Sequence, residues 1–258
     1  MKAASGRATA TIGMLRVITR MVALPRAVCL GLAALCAAFA FAGVARAEGP
    51  PGVGHSESLA PHLLLIHGGA FLFEDPTFDA VTRQAAVDAG FVPHYLTYPL
   101  GDLRAGVQAA RAEARRLGAL YPGRLYAYGS SAGGTLAALL AGDGMVRAAV
   151  AKAPPSDLVG WEWPLTAYGG DYYERIAADS ATRLRLSPLR RPARRPLLLL
   201  HGINDAIVPV AMSEAFAAKF REVQLWVVSG GHHAERRRPQ IFTSSLEWLT
   251  RIHDRGLR

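Results

Sequence analysis

The chain has 258 residues, 51% of them apolar, which is enough to bury one substantial core and fits a single compact domain. Its formal net charge of +9 is unevenly placed: residues 1–47 hold six of the 29 basic side chains and none of the 20 acidic ones, so the chain beyond Ala47 carries only +3. That balance argues against a polyanion-binding protein, because the remaining basic clusters, Arg190, Arg191, Arg194, Arg195 and Arg236 to Arg238, sit in proline-flanked, turn-like stretches that are more often solvated loops than phosphate tracks; no nucleic-acid partner is expected.

The first element is a leader. Lys2, Arg7, Arg16, Arg20 and Arg26 precede an apolar run from Ala27 to Val44, followed by Ala45-Arg46-Ala47. Basic region, apolar region and small-x-small site, in that order, mark a secretory signal peptide over residues 1–47, with a mature domain at 48–258 exported to the periplasm or the extracellular space. A retained membrane anchor is the alternative, since the apolar run approaches spanning length. After cleavage no stable membrane span is expected. Translation from Met14 or Met21 would give a leader of more usual length, and no Arg-Arg pair marks a twin-arginine route. Cys29 and Cys36 both fall in the leader, outside any lipoprotein context, so the mature domain is expected to have neither disulfide nor thiol chemistry.

From Pro61 onward short apolar runs alternate with longer amphipathic ones, the pattern of β-α units on a buried parallel sheet. Strands are predicted at His62 to Ile66, Phe91 to Leu96, Leu125 to Tyr128, Ala148 to Ala151, Pro196 to Leu200 and Val223 to Val228. Helices are predicted at Thr77 to Ala89, Asp102 to Leu120, Ala132 to Ala141, Val210 to Phe220 and Gln240 to Ile252. The expected fold is a three-layer α/β/α sandwich on a mostly parallel sheet of about six strands. Residues 154–195 lack clear periodicity but carry Trp161, Trp163, Tyr168, Tyr172 and Tyr173. Such a segment is either a cap or lid over a site or ordinary cover for the sheet edge.

Chemistry concentrates at strand ends. Gly129-Ser130-Ser131-Ala132-Gly133 matches G-x-S-x-G between a strand and an apolar helix, the setting of a nucleophile elbow, and makes Ser131 the candidate nucleophile. A serine hydroxyl is weak at neutral pH and needs a general base and a group to orient that base. Asp205 follows the strand at 196–200, and His232 and His233 follow the strand at 223–228. The order Ser, Asp, His is that of α/β-hydrolases. His232 is expected to be the base, because it directly follows the Gly230-Gly231 turn, with His233 as the alternative. A metal site is not expected, since the adjacent histidines lack helical i, i+4 spacing. After the first strand, His67-Gly68-Gly69-Ala70-Phe71 offers uncovered amides: Gly69 and Ala70, with Ala132, are the expected oxyanion donors. Phe71, Leu72 and Phe73 are expected to wall the acyl pocket or, failing that, to be core.

Taken together, His67-Gly68-Gly69-Ala70, Gly129-Ser130-Ser131-Ala132-Gly133-Gly134, His201-Gly202 with Asp205 and Val208-Pro209, and Gly230-Gly231-His232 resemble the α/β-hydrolase superfamily, in its esterase/lipase branch with an H-G-G oxyanion turn. The resemblance spans nearly all of the mature chain. It implies a Ser131–His232–Asp205 triad, an acyl-enzyme, acyl transfer from a small-molecule ester to water, and no metal or organic cofactor. Two departures are evident. Glu48 to Ala60 is too short for the two leading strands common in the family, implying a trimmed sheet, and Ala70 stands where many relatives have a third glycine. A peptidase of the prolyl-oligopeptidase type and an arylformamidase share this machinery, although the former normally carries a propeller for which this length leaves no room. A catalytically silent binding protein is the reading from another class, and the intact motifs count against it.

Overall fold

A computed structural model describes residues 59–231, 233 and 239–257. The segment expected to be a leader, residues 1–47, and His232 lie outside the described residues. Among those described, no helix is long and apolar enough to cross a membrane.

Six strands form one parallel sheet: β1 (His62–Ile66), β2 (Val92–Leu96), β3 (Leu125–Ser130), β4 (Ala149–Lys152), β5 (Leu197–Gly202) and β6 (Val223–Val228), in the order β2-β1-β3-β4-β5-β6. The predicted strands are all present, β1 and β6 with the predicted bounds and the other four with one or both ends shifted by one or two residues. β1, β3 and β5 are buried along their whole length, as continuous apolar runs in a sheet covered on both faces must be. The edge strands β2 and β6 are partly wet. Side chains alternate between the faces. Leu64, Ile66, Ala127 and Leu199 meet α2 (Leu103–Leu120), α3 (Ala132–Asp143) and α7 (Val210–Lys219) through Val107, Leu136 and Phe216. On the other face Leu63, Leu65, Tyr126 and Tyr128 meet α1 (Pro76–Asp88) and α8 (Pro239–Arg255) through Phe78, Leu246 and Leu249. Each fully buried Leu or Ile of this kind contributes roughly 1.5–3 kcal/mol relative to leaving it in water.

Helix α3 is buried on every side from Ala132 to Ala141, and small residues let it lie close to the sheet. It stops where Gly144 takes a left-handed conformation, φ 75°. Helix α2 begins at Asp102, whose carboxylate accepts from the Ala105 amide at 2.9 Å.

The topology fixes where chemistry can occur. From β1 the chain moves to the edge strand β2, then returns to place β3 on the other flank of β1. The carboxyl ends of β1 and β3 therefore flank a switch in strand order, the crevice where open α/β sheets bind ligands. Residues 154–195 fold into α4 (Trp163–Tyr168), α5 (Tyr172–Arg175), α6 (Ser180–Leu186) and a 3₁₀ turn (Pro188–Arg190). Trp161, Tyr172 and Ile176 are buried in the same cluster as α2 and α3, so this segment is packed structure.

Candidate active site

Ser131 stands between β3 and α3 with φ 54° and ψ −118°, a conformation costing a non-glycine residue on the order of 1–3 kcal/mol. Its surroundings hold it there. The Ser131 amide donates to the Lys152 carbonyl at 2.8 Å, and the turn is so tight that only glycine fits beside it. A Cβ on Gly129 would lie 2.0 Å from the Gly133 carbonyl oxygen, and one on Gly133 would lie 2.2 Å from that of Ile66. The sequence G-x-S-x-G is thus required by contacts among β1, β3 and α3.

The base is His233. Its Nε2 lies 3.0 Å from Ser131 Oγ, and its Nδ1 lies 2.8 Å from Asp205 Oδ2. A carboxylate can only accept, so Nδ1 carries the proton, leaving the Nε2 lone pair facing the serine hydroxyl. This corrects the expectation of His232 by one residue. Adjacency to the glycines does not decide which histidine reaches the serine, because Gly231 is still bound into the joint between the β5 and β6 loops: its amide donates to Val228 at 3.0 Å and its carbonyl accepts from Asn204 at 2.8 Å. The chain clears that joint later, and the residue that reaches the serine is 233.

Asp205 is nearly fully buried and accepts from every side. Oδ1 takes the amides of Ile207 and Val208, each at 2.9 Å. Oδ2 faces His233 and, at 3.2 Å, Nε2 of His201. Burial alone would push the carboxyl up, but the hydrogen bonds from His201 and His233, the charge of His233 and the Val208 amide outweigh it and hold the group well below the usual carboxylate range. His201 is a site residue that sequence reasoning quoted only as part of a motif. It is buried, with Nδ1 2.7 Å from Ser213 Oγ and Nε2 2.8 Å from the Val208 carbonyl. These contacts make it a brace for the Asp205 loop.

Gly68, Gly69 and Ala70 line a cavity of about 250 Å³ together with Ser130, Ser131 and His233. Ala132 is the first residue of α3, so its amide has no acceptor within the helix, and the helix dipole favours negative charge beside it. The remaining walls are Trp161, Trp163, Tyr168 and Ile207, with Glu74 and Asp75. The expected wall of Phe71, Leu72 and Phe73 is not there. Phe71 is core at 1% exposure, Leu72 packs against the core, and Phe73 is 49% exposed, with its ring 5.9 Å from that of Tyr168. The reason is local: the amides of Leu72 and Phe73 both fold back onto the Gly69 carbonyl, at 2.9 Å, which turns the segment away from the crevice. Segment 154–195 supplies the wall instead, and a Trp161 Nε1 hydrogen bond to the Ile207 carbonyl, 2.8 Å, joins it to the Asp205 loop.

Fold and geometry together define a serine hydrolase of the α/β-hydrolase class. The chain belongs to the prolyl oligopeptidase family, whose sequence signature matches residues 97–254 and thereby takes in Ser131, Asp205 and His233. No curated protein matches it. Among solved structures it is similar to an acetyl ester-xyloside bifunctional hydrolase from Caldicellulosiruptor lactoaceticus, at 18% identity and TM-score 0.62, covering 75% of this chain and 83% of that one. It is also similar to Thermogutta terrifontis esterase 2 phosphonylated by sarin, at 18% identity and TM-score 0.64, covering 77% and 85%. An esterase/lipase from an uncultured bacterium aligns with TM-score 0.64 at 18% identity, over 79% of each chain. At these identities the likeness establishes the fold.

Proposed function

We propose that the protein hydrolyses small carboxylic esters through an acyl-enzyme on Ser131. Ser131 Oγ adds to the ester carbonyl carbon while His233 Nε2 takes its proton; the carbonyl oxygen becomes an oxyanion against the amides of Gly69, Ala70 and Ala132. When the tetrahedral adduct collapses, the imidazolium returns the proton to the departing alcohol, leaving Ser131 acylated. Water repeats the sequence, with His233 as base and then acid, and releases the acid and free serine. Asp205 keeps Nδ1 protonated and steadies the imidazolium.

The observation carrying ester specificity is the cavity. About 250 Å³ is below the size of pockets that take drug-sized ligands, and its aromatic and aliphatic side, Trp161, Trp163, Tyr168 and Ile207, suits a short acyl or alkyl group. The similar structures are named as esterases or as an acetyl ester hydrolase, which agrees. Family membership favours one second reading, cleavage of a peptide, by the same steps with an amine leaving. A panel of p-nitrophenyl esters of rising acyl length, with Xaa-Pro amides and an aryl formamide alongside, decides. Acetate to butyrate esters should be turned over fastest. Preference for the amides by tenfold or more in kcat/KM would replace the ester reading, and no turnover of any substrate would leave a binding protein on a hydrolase scaffold.

Export to the periplasm or beyond belongs to the same proposal, supported by the basic, apolar and small-x-small order of residues 1–47. N-terminal sequencing of the protein from its native host tests it: a start at Glu48 is expected, and a retained residue 27–44 segment would mean an anchor.

A further inference from the structure

The oxyanion turn has an unusual backbone. Gly69, Ala70 and Phe71 follow one another with φ of 105°, 54° and 59°, and for Ala70 and Phe71 the left-handed region is strained because Cβ crowds the following carbonyl. Such a segment relaxes unless something outside it fixes each peptide plane. In a trans peptide the carbonyl and the next amide point in opposite directions, so whatever holds a carbonyl also aims the following N–H.

Every carbonyl from His67 to Phe71 is held. Those of His67 and Gly68 share the phenolic hydrogen of Tyr98, at 3.1 and 3.2 Å. Gly68 also meets Nδ1 of His67 at 2.7 Å, and the His67 ring is stacked on that of Tyr98 with centroids 4.4 Å apart. The Gly69 carbonyl takes the amides of Leu72 and Phe73, and that of Phe71 takes the Gly101 amide at 2.8 Å. The Ala70 carbonyl takes the hydroxyl of Tyr172 at 3.0 Å. Tyr98 comes from the loop after β2 and Tyr172 from α5 of the segment covering the site. Both are buried, and burial raises both phenol pKa values, so they remain donors throughout the working pH range.

We infer that Tyr98 and Tyr172 are positioning residues for the oxyanion donors: Tyr98 aims the Gly69 amide by holding the Gly68 carbonyl, and Tyr172 fixes the plane following Ala70. The inference rests on the assignment of Gly69 and Ala70 as oxyanion donors. It makes the covering segment part of the catalytic apparatus, because one of its hydroxyls braces the turn. Tyr98 acts directly on a donor-bearing peptide and Tyr172 on its neighbour, so loss of the first should matter more.

The test uses Tyr98→Phe and Tyr172→Phe, which remove one oxygen each and keep the ring packing. Tyr126→Phe is the control, since Tyr126 is equally buried but its hydroxyl meets His253 Nδ1, at 3.2 Å, away from the crevice. Rates for p-nitrophenyl acetate are normalised to sites titrated with a fluorophosphonate, so a partly folded preparation does not count as a slow one. Losing an oxyanion donor outright costs about 10²–10³-fold in kcat. Misaiming should cost roughly tenfold for Tyr98→Phe and several-fold for Tyr172→Phe, with KM within about twofold. The inhibition constant of a trifluoromethyl ketone, whose adduct carries the oxyanion, should rise by the factor that kcat/KM falls. Tyr126→Phe should change neither. Wild-type kcat and ketone affinity in both variants, with Ser131 still labelled, would overturn the inference alone. A wild-type enzyme that neither labels at Ser131 nor turns over any ester would overturn the oxyanion assignment and this inference with it.

Discussion

Replacing Asp205 by Asn separates the carboxylate's two duties. On the Oδ1 side the amide oxygen still accepts from Ile207 and Val208, so the loop keeps its shape. On the Oδ2 side an NH₂ now faces two groups that formerly donated, Nδ1 of His233 at 2.8 Å and Nε2 of His201 at 3.2 Å. The imidazole escapes the donor–donor clash by moving its proton to Nε2, which leaves no lone pair for the Ser131 hydroxyl. In the trypsin-type enzymes the same change costs about 10⁴-fold in kcat, or about 5.5 kcal/mol at 1.36 kcal/mol per decade. Here the loss should be of that order. The unfolding free energy should fall by only about 1–3 kcal/mol, the cost of one unmatched buried polar contact. Stopped-flow kinetics with p-nitrophenyl acetate and urea denaturation measure the two quantities on one preparation. A rate loss below tenfold would refute the claim that this carboxylate sets the histidine tautomer, and a loss accompanied by unfolding would show its role to be structural.

The histidine assignment predicts that His233→Ala stops acylation while His232→Ala changes kcat by less than about tenfold, both read from the burst of p-nitrophenol. Gly133→Ala places a methyl 2.2 Å from the Ile66 carbonyl oxygen and must push α3 off β1, so a thermal melt should show a loss of about 3 kcal/mol or more if the backbone shifts as overpacked cores do. Away from the site, His62 is buried against Tyr121, with Nδ1 2.9 Å from His94 Nε2; burial, with His94 and Arg124, lowers its pKa to about 4. A histidine whose pKa is lowered by folding contributes nothing unfavourable above its unfolded value near 6.5, and stability is lost as pH falls from there to about 4. Urea midpoints should therefore drop over that window, by on the order of 2–3 kcal/mol in unfolding free energy, and His62→Gln should flatten the drop.

Most of the fold was legible because β1, β3, β4 and β5 are short, largely apolar runs and α2 and α8 each carry one apolar face, while α3 has none that is polar; α4, α5 and α6 were not legible, since residues 154–195 show no clear periodicity. Ser131 was legible for a steric reason: the elbow demands glycine at positions 129 and 133, and such demands are written in the sequence. Asp205 was legible as an acid just past a strand end. The choice between His232 and His233 was not, because it depends on how long Gly231 stays bonded to the neighbouring loop, a contact between two strand ends. The acyl wall failed for a similar reason. Phe71, Leu72 and Phe73 adjoin the oxyanion turn in sequence, but the turn folds back and hands that position to Trp161, Trp163 and Tyr168. His201, Tyr98 and Tyr172 act through single hydrogen bonds to distant backbone or to a carboxylate, and no local pattern announces such bonds.

Ser131, activated as a nucleophile by His233, is the centre of the proposed mechanism. Incubating the folded protein with a fluorophosphonate and mapping the adduct by peptide mass spectrometry tests this most directly. One label per chain on Ser131, absent in Ser131→Ala and slowed by orders of magnitude in His233→Ala, is the predicted result. Labelling of another residue, or undiminished labelling in His233→Ala, would contradict it.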